Sequence, residues 1–125
     1  MVERTWIRAE GQLQCDYHAL VDVTRPDVTV SNLEAVPPHL LPGETVRYLM
    51  PSCLCPSDLF QFFVTAEFGS LTGEAKVDAM RNWINKTIAY TPGASDPQIT
   101  ALDTFVQRRD VCRDFAHVLV TFARV

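Results

Sequence analysis

The sequence contains little clustered charge and no long apolar run. Its longest basic run is the pair Arg108 and Arg109, and its net charge is −4, so nothing favours binding to nucleic acid or to an anionic membrane. No window reaches the roughly 18 apolar residues of a membrane-spanning helix. Residues 1–8 lack the basic and then apolar pattern of a secretory signal. We therefore expect a cytoplasmic protein that binds neither nucleic acid nor membrane.

Cysteine is too scarce for a disulfide scaffold. Four cysteines among 125 residues are far fewer than small secreted domains use. Cys53 and Cys55 form a C-x-C pair rather than the C-x-x-C spacing of zinc or redox sites, so we interpret them as structural. His18 and His39 have no companions at metal-ligand spacing. The sequence therefore predicts no metal site.

The composition is that of a folded α+β protein. A hydrophobic fraction of 47% with 21% charged residues is typical of a globular chain, and the length suits a single core. Residues 12–24 alternate apolar and polar side chains, with Leu20 as the exception, which indicates a half-buried strand. We predict an N-terminal antiparallel β region over residues 1–55 and three or four helices over residues 56–125. The predicted strands are residues 5–9, 12–24, 28–33 and 46–50.

Two helices are predicted in the middle of the chain. The first spans about residues 58–68, with Ser57 as a candidate N-cap and Gly69 as its stop. The second begins near Gly73 with Thr72 as its cap. Its apolar stripe at helical spacing consists of Val77, Met80, Ile84 and Ile88.

A third helix is predicted to start at Ala101. Thr100 and Asp103 have the spacing of a capping box, with Asp in place of Glu. We expect this helix to bury Leu102, Phe105 and Val106.

The last sixteen residues read D-V-C-R-D-F-A-H-V-L-V-T-F-A-R-V. A helix so apolar on nearly all sides is typical of a central, buried position. Cys112 lies in its first turn, where free backbone N–H groups and the positive end of the helix dipole favour the thiolate. On the residues alone, a nucleophile and an ordinary buried thiol are about equally good interpretations.

The polar neighbours of Cys112 are poor candidates for a catalytic partner. His117 is five residues further on, which turns it about 140° away around the helix, so it cannot pair with the thiol. Asp114 is expected to interact with the helix dipole rather than to catalyse. Arg113 has three open interpretations: it pairs with an acidic group, adds positive potential beside the thiol, or lies solvated at the surface.

The segment V-C-R-D-F-A-H resembles the nucleophile segment of the bacterial transglutaminase-like superfamily. This papain-like group includes transglutaminases, peptide:N-glycanases and cysteine proteases. Two further features are similar to the same branch. They are the short amphipathic helix over residues 101–109 and the upstream segment Y-L-M-P-S-C-L-C-P-S-D. The resemblance implies a truncated papain-like core that ends in a buried nucleophile helix, with Cys112 as nucleophile. It also implies a histidine and an aspartate several tens of residues further on, for which this chain offers no positions.

The resemblance implies the N-terminal fragment of a cysteine protease or amidase. Cys112 would attack an amide of a protein or peptide substrate and form a thioester, with no cofactor, and the fragment alone would be inactive. The family usually has glycine at the position of Asp110, at the sharp turn before the nucleophile helix. Aspartate is among the few other residues that tolerate positive φ, so we expect the turn to be kept with some strain. The alternative is a non-catalytic protein-binding or oligomerisation module. Because the apolar segment 111–125 would form an exposed patch, we expect a homo-oligomer.

Overall fold

The computed structural model describes residues 6–8, 10–26 and 33–125. Its helices and strands are α1 (Gly43–Val46), α2 (Gln61–Phe68), α3 (Gly73–Thr87), β1 (Ala89–Tyr90), α4 (Ala101–Gln107), β2 (Arg109–Asp110) and α5 (Cys112–Ala123). Short 3₁₀ segments are Pro38–Leu40, Arg47–Leu49 and Ser57–Leu59. In the described part of the chain, no helix has both the length and the apolar character needed to span a membrane.

The predicted N-terminal β region is not confirmed. Residues 10–26 are exposed and have no regular secondary structure, because their alternating apolar side chains meet no sheet among the described residues. The strand predicted at 46–50 is wrong. The carbonyl of Pro42 accepts a hydrogen bond from the Thr45 N–H at 2.8 Å, and this turn leads into α1 and the following 3₁₀ segment. The strand predicted at 5–9 is not found either, since residues 6–8 are described and have no regular secondary structure. The strand predicted at 28–33 lies outside the described residues except for Leu33.

The helix predicted at 58–68 forms in two parts. Ser57 begins a 3₁₀ segment rather than capping an α-helix, and α2 starts only at Gln61. Gly69 follows the last residue of α2, as predicted.

The helix predicted from Gly73 is confirmed as α3, with Thr72 at its N-cap position. Three of the four stripe residues are buried. Val77, the first residue of the predicted stripe, remains 47% exposed. The buried stripe therefore begins one turn later than predicted. The buried members are Met80, Ile84 and Ile88.

The capping box of α4 is confirmed, whereas its predicted buried face is partly wrong. The N–H of Asp103 donates to Thr100 Oγ1, and the Thr100 N–H donates to Asp103 Oδ2 at 2.9 Å. Leu102 and Val106 are exposed at 37% and 69%. The neighbours of α4 lie on its other side, where the buried residues are Ala101 and Thr104.

Phe122 of α5 lies at the centre of the core. Its side chain is fully buried, and its ring centroid is 5.3 to 6.3 Å from five other aromatic rings. Aromatic pairs at these separations stabilise a core beyond their area burial. The five rings, from segments in and around α2, α3 and α4, belong to Phe60, Phe63, Phe68, Trp83 and Phe105.

Two short strands precede α5 and set its starting point. β1 and β2 pair in parallel, with Ala89 opposite Arg109 and Tyr90 opposite Asp110. The N–H of Thr91 donates to the Asp110 carbonyl at 2.8 Å. The beginning of α5 is therefore fixed beside the loop that follows β1.

α5 buries one face rather than its whole circumference, which corrects the expectation of a fully buried helix. Val118 and Phe122 are completely buried, while Val120 remains 40% exposed. Ala116 and Ala123 are exposed as well. The cause is its one-sided packing, since α5 contacts α3 and α4 and no described element covers its other side.

Candidate active site

Cys112 is the first residue of α5, and it is exposed. Val111 is the N-cap, so the Cys112 N–H has no acceptor within its own helix. The positive end of the helix dipole lies at the same place. All four cysteines are free thiols; Cys15 and Cys53 are exposed, whereas Cys55 is buried. The structure thus places an accessible thiol at a helix N-terminus.

The sharp turn before α5 occurs at Arg108 and not at Asp110. Arg108 has φ of 58° and caps α4 in the left-handed conformation. Asp110, for which the sequence suggested positive φ, is extended in β2. Its pairing with β1 requires extended backbone, so the chain reverses before the strand. The Arg108 guanidinium lies 4.1 Å from the Phe105 ring centroid, which stabilises this reversal.

Asp110 is a fully buried carboxylate next to the N-cap of α5. The Thr104 hydroxyl donates to its Oδ2 at 2.7 Å, and the Val111 N–H donates to its Oδ1 at 3.1 Å. A buried carboxylate needs such donors. The two bonds link α4, β2 and the residue just before Cys112.

Asp114 is buried far more completely than its predicted dipole role required. It is fully inaccessible, and Arg113 Nε lies 3.0 Å from its Oδ1. Burial acts to raise the pKa of Asp114, but the polar neighbours Ser95 and Arg113, together with the charge of Arg113, outweigh it and lower the pKa. Asp114 is therefore held as the carboxylate inside the protein.

Arg113 pairs with an acidic group, which is one of the interpretations that the sequence left open. Besides the ion pair with Asp114, its Nη2 donates hydrogen bonds to Ser95 Oγ and to the Asp96 carbonyl, the latter at 2.6 Å. The guanidinium therefore joins the first turn of α5 to the loop at residues 91–98.

The histidines do not form a dyad with Cys112 in this structure. Nδ1 of His117 lies 3.5 Å from Asp114 Oδ1, in agreement with the prediction that His117 faces away from the thiol. His18 and His39 are exposed. Within the described ranges, no hydrogen bond or ion pair connects a histidine to Cys112, and no three potential ligands gather as a metal site.

The sequence indicated Cys112 but missed the polar cluster around it. The burial of Asp110 and Asp114 depends on residues 91–98 and on α4, which local patterns do not relate to α5. The available signal was their position four residues apart on either side of Cys112, just ahead of the largely apolar residues 115–125.

Residues 64–125 match the family model of the transglutaminase-like superfamily. The structure is also similar to the crystal structure of a candidate cysteine protease from Cytophaga hutchinsonii, with a TM-score of 0.70 and 39% sequence identity. That similarity covers 74% of this chain and 32% of the other, so this chain spans about a third of the length of that protein. No curated protein matches the sequence. Residues 64–125 are therefore similar to the transglutaminase-like superfamily, and the solved structure supports the same assignment.

Proposed function

We propose that this chain carries the nucleophile of a transglutaminase-like cysteine protease or amidase, and that Cys112 is that nucleophile. The observation that carries the proposal is the exposed Cys112 thiol at the first residue of α5, inside the segment that matches the family model. A thiol at a helix N-terminus is activated by the dipole and by the free N–H groups there.

In the complete enzyme the Cys112 sulfur attacks the carbonyl carbon of an amide. The backbone N–H of Cys112 is available to donate to the oxygen that becomes negative in the tetrahedral intermediate. The C–N bond then breaks, the amine leaves with a proton from a general acid, and a thioester remains. Water attacks the thioester, which releases the carboxylic acid and restores the thiol.

In our proposal, one histidine serves as general acid and then as general base, and this histidine is not one of the three in this chain. The family resemblance implies a histidine downstream of Cys112 on another element, and His117 lies on α5 itself, next to Asp114. We therefore expect the 125 residues alone to catalyse no turnover. The completing residues would be a histidine and an aspartate supplied by a longer protein.

Hydrolysis is the reaction that we favour over transamidation. The similar Cytophaga hutchinsonii protein is described as a candidate cysteine protease, which supports a protein or peptide amide as the substrate class.

The pH dependence of alkylation by iodoacetamide tests the nucleophile. Peptide mass spectrometry resolves Cys112 from Cys15 and Cys53, the exposed comparators, and from the buried Cys55. Because Cys112 lies exposed at a helix N-terminus, we expect it to react faster than Cys15 and Cys53 do. Equal rates for Cys112 and Cys53 at every pH would refute the proposal.

A non-catalytic oligomerisation module is the second candidate function. The observation that favours it is the uncovered side of α5, where Ala116, Val120 and Ala123 are exposed. The occupant we propose is a second copy of the chain, with the two α5 helices packed together. Sedimentation velocity should show a dimer that Val120→Glu dissociates, and a monomer at high concentration would contradict this candidate.

A further inference from the structure

The loop at residues 91–98 is attached to the chain on both sides of Cys112. Before the thiol, the Asp110 carbonyl accepts the Thr91 N–H at 2.8 Å. After it, Arg113 Nη2 donates to Ser95 Oγ and, at 2.6 Å, to the Asp96 carbonyl. The loop is therefore hydrogen-bonded to the chain two residues before and one residue after the exposed thiol.

Arg113 is oriented by a buried carboxylate. Its side chain is 47% exposed, whereas that of Asp114 is completely buried. Asp114 Oδ1 lies 3.0 Å from Arg113 Nε, and Asp114 Oδ2 lies 3.4 Å from Nη2. Two contacts to a planar guanidinium fix its orientation as well as its position. Asp114 therefore determines where Nη2 points.

The internal bonds of the loop set its shape but do not attach it to α5. The Ala94 N–H donates to the Thr91 carbonyl at 3.2 Å, and the Gln98 N–H donates to Asp96 Oδ1 at 2.7 Å. Arg113 supplies the connection from the middle of the loop to the helix that carries the thiol.

We propose that Asp114 is a positioning residue, which acts through Arg113 to hold residues 91–98 as one wall of the substrate cleft beside Cys112. The proposal rests on the proposed function, because the loop is a substrate wall only if Cys112 is the nucleophile. It assigns a role to a side chain that contacts neither the thiol nor the solvent.

Because Asp114 and Arg113 carry opposite charges, a role in holding the loop can be distinguished from a direct electrostatic effect on the Cys112 thiol. If Asp114 and Arg113 acted only by their charges, Asp114→Asn and Arg113→Gln would change the reactivity of the Cys112 thiol in opposite directions, since one removes an anion and the other a cation. If they act by holding the loop, both substitutions release it and change access to the thiol in the same direction.

The experiment compares the full chain with D114N, R113Q and the double variant, and with D78N as a control. Asp78 pairs with Arg81 on an exposed face of α3. The first readout is amide hydrogen exchange over residues 91–98. The second is the ratio of Cys112 labelling by a bulky maleimide to labelling by iodoacetamide, with Cys53 as reference.

We expect exchange in the loop to accelerate roughly tenfold in both single variants, the effect of losing a hydrogen bond to a charged group. The labelling ratio should rise in both. The double variant should change no further than D114N alone, because the two residues act in one connection. D78N should match the parent chain in both readouts.

Two results overturn the proposal: unchanged exchange in the loop, or opposite changes in Cys112 labelling in the two single variants. Unfolding of D114N would be revealed by amide exchange along the whole chain and by labelling of the buried Cys55. In that case R113Q and Ser95→Ala test the positioning proposal by the same two readouts. If Cys112 is inert in the parent chain, the proposed function is refuted. Amide exchange in the loop then still shows whether Asp114 and Arg113 hold residues 91–98. A reactive Cys112 with an unaffected loop refutes positioning alone.

Discussion

The hydroxyl of Thr104 donates a hydrogen bond of 2.7 Å to Oδ2 of Asp110, and both side chains are completely buried. Thr104→Val keeps the shape of the side chain but leaves the carboxylate without this donor. We expect the free energy of unfolding to fall by about 1–3 kcal/mol, the cost of an unsatisfied buried polar group. Urea titration followed by circular dichroism measures the change.

Thr121→Val is the matched control for that substitution. Thr121 is also completely buried, but its hydroxyl donates at 2.7 Å to the His117 carbonyl within its own helix. That carbonyl can keep its helical hydrogen bond when the hydroxyl is removed. A loss in T121V as large as that in T104V would contradict the special role of the Asp110 bond.

Gly73 is required where the segment at Leu33 crosses the start of α3. Its φ is +58°, and a Cβ there would lie 2.3 Å from the Leu33 carbonyl oxygen. Gly73→Ala should destabilise the fold by about 1–2 kcal/mol through backbone strain alone, and it should detach Leu33 from α3. Thermal unfolding measures the first effect. Amide exchange at Glu74, whose N–H donates to the Leu33 carbonyl at 3.4 Å, measures the second.

Gly43 provides the comparison for Gly73. A Cβ at Gly43 meets no atom within 4 Å, and Gly43 is the first residue of α1. Gly43→Ala should leave stability unchanged or raise it by about 0.5–1 kcal/mol. Equal losses in the two variants would show that neither φ nor the close approach explains Gly73.

The capping box of α4 predicts a specific dependence on pH. The hydrogen bond from the Thr100 side chain is the main cause that lowers the pKa of Asp103 below its ordinary 3.8. The folded protein therefore favours the carboxylate, whose contribution is complete above that value and is lost as the pH falls below it. The stability difference between the parent chain and Asp103→Asn should shrink as the pH falls from about 6 to about 3.

Thr100→Ala tests the same box from the other side. Loss of an N-cap costs about 1 kcal/mol, and the substitution should also weaken the pH dependence that Asp103 causes. A variant with full pH dependence would show that the Thr100 hydroxyl is not the cause of the lowered pKa.

Local signals in the sequence predicted the elements that depend on neighbouring residues. The capping box at Thr100 and Asp103 and the start of α3 at Gly73 were predicted because both depend on residues at most a few positions apart. The position of Cys112 at the start of α5 was predicted for the same reason, since a thiol that opens an apolar helix is visible in one segment.

Non-local contacts explain what the sequence did not reveal. The burial of Asp114 follows from Arg113 and the loop at Ser95, which lies 18 residues from Arg113 in the chain. The left-handed residue is Arg108 rather than Asp110 because β2 pairs with β1 across nearly twenty residues. The strand pattern at residues 46–50 carried no information on whether a partner strand exists.

Phe122 provides the strongest test of the core. Its side chain is completely buried, with the ring of Phe63 at 5.3 Å and that of Trp83 at 5.6 Å between centroids. Phe122→Ala should therefore lower the free energy of unfolding by about 3–5 kcal/mol, through lost burial and the cavity left behind. Phe62→Ala removes the same ring from a position that is 89% exposed, and its effect should stay within about 0.5 kcal/mol. Urea unfolding monitored by tryptophan fluorescence compares the two, and similar losses would mean that the aromatic cluster does not hold α5 against α2, α3 and α4.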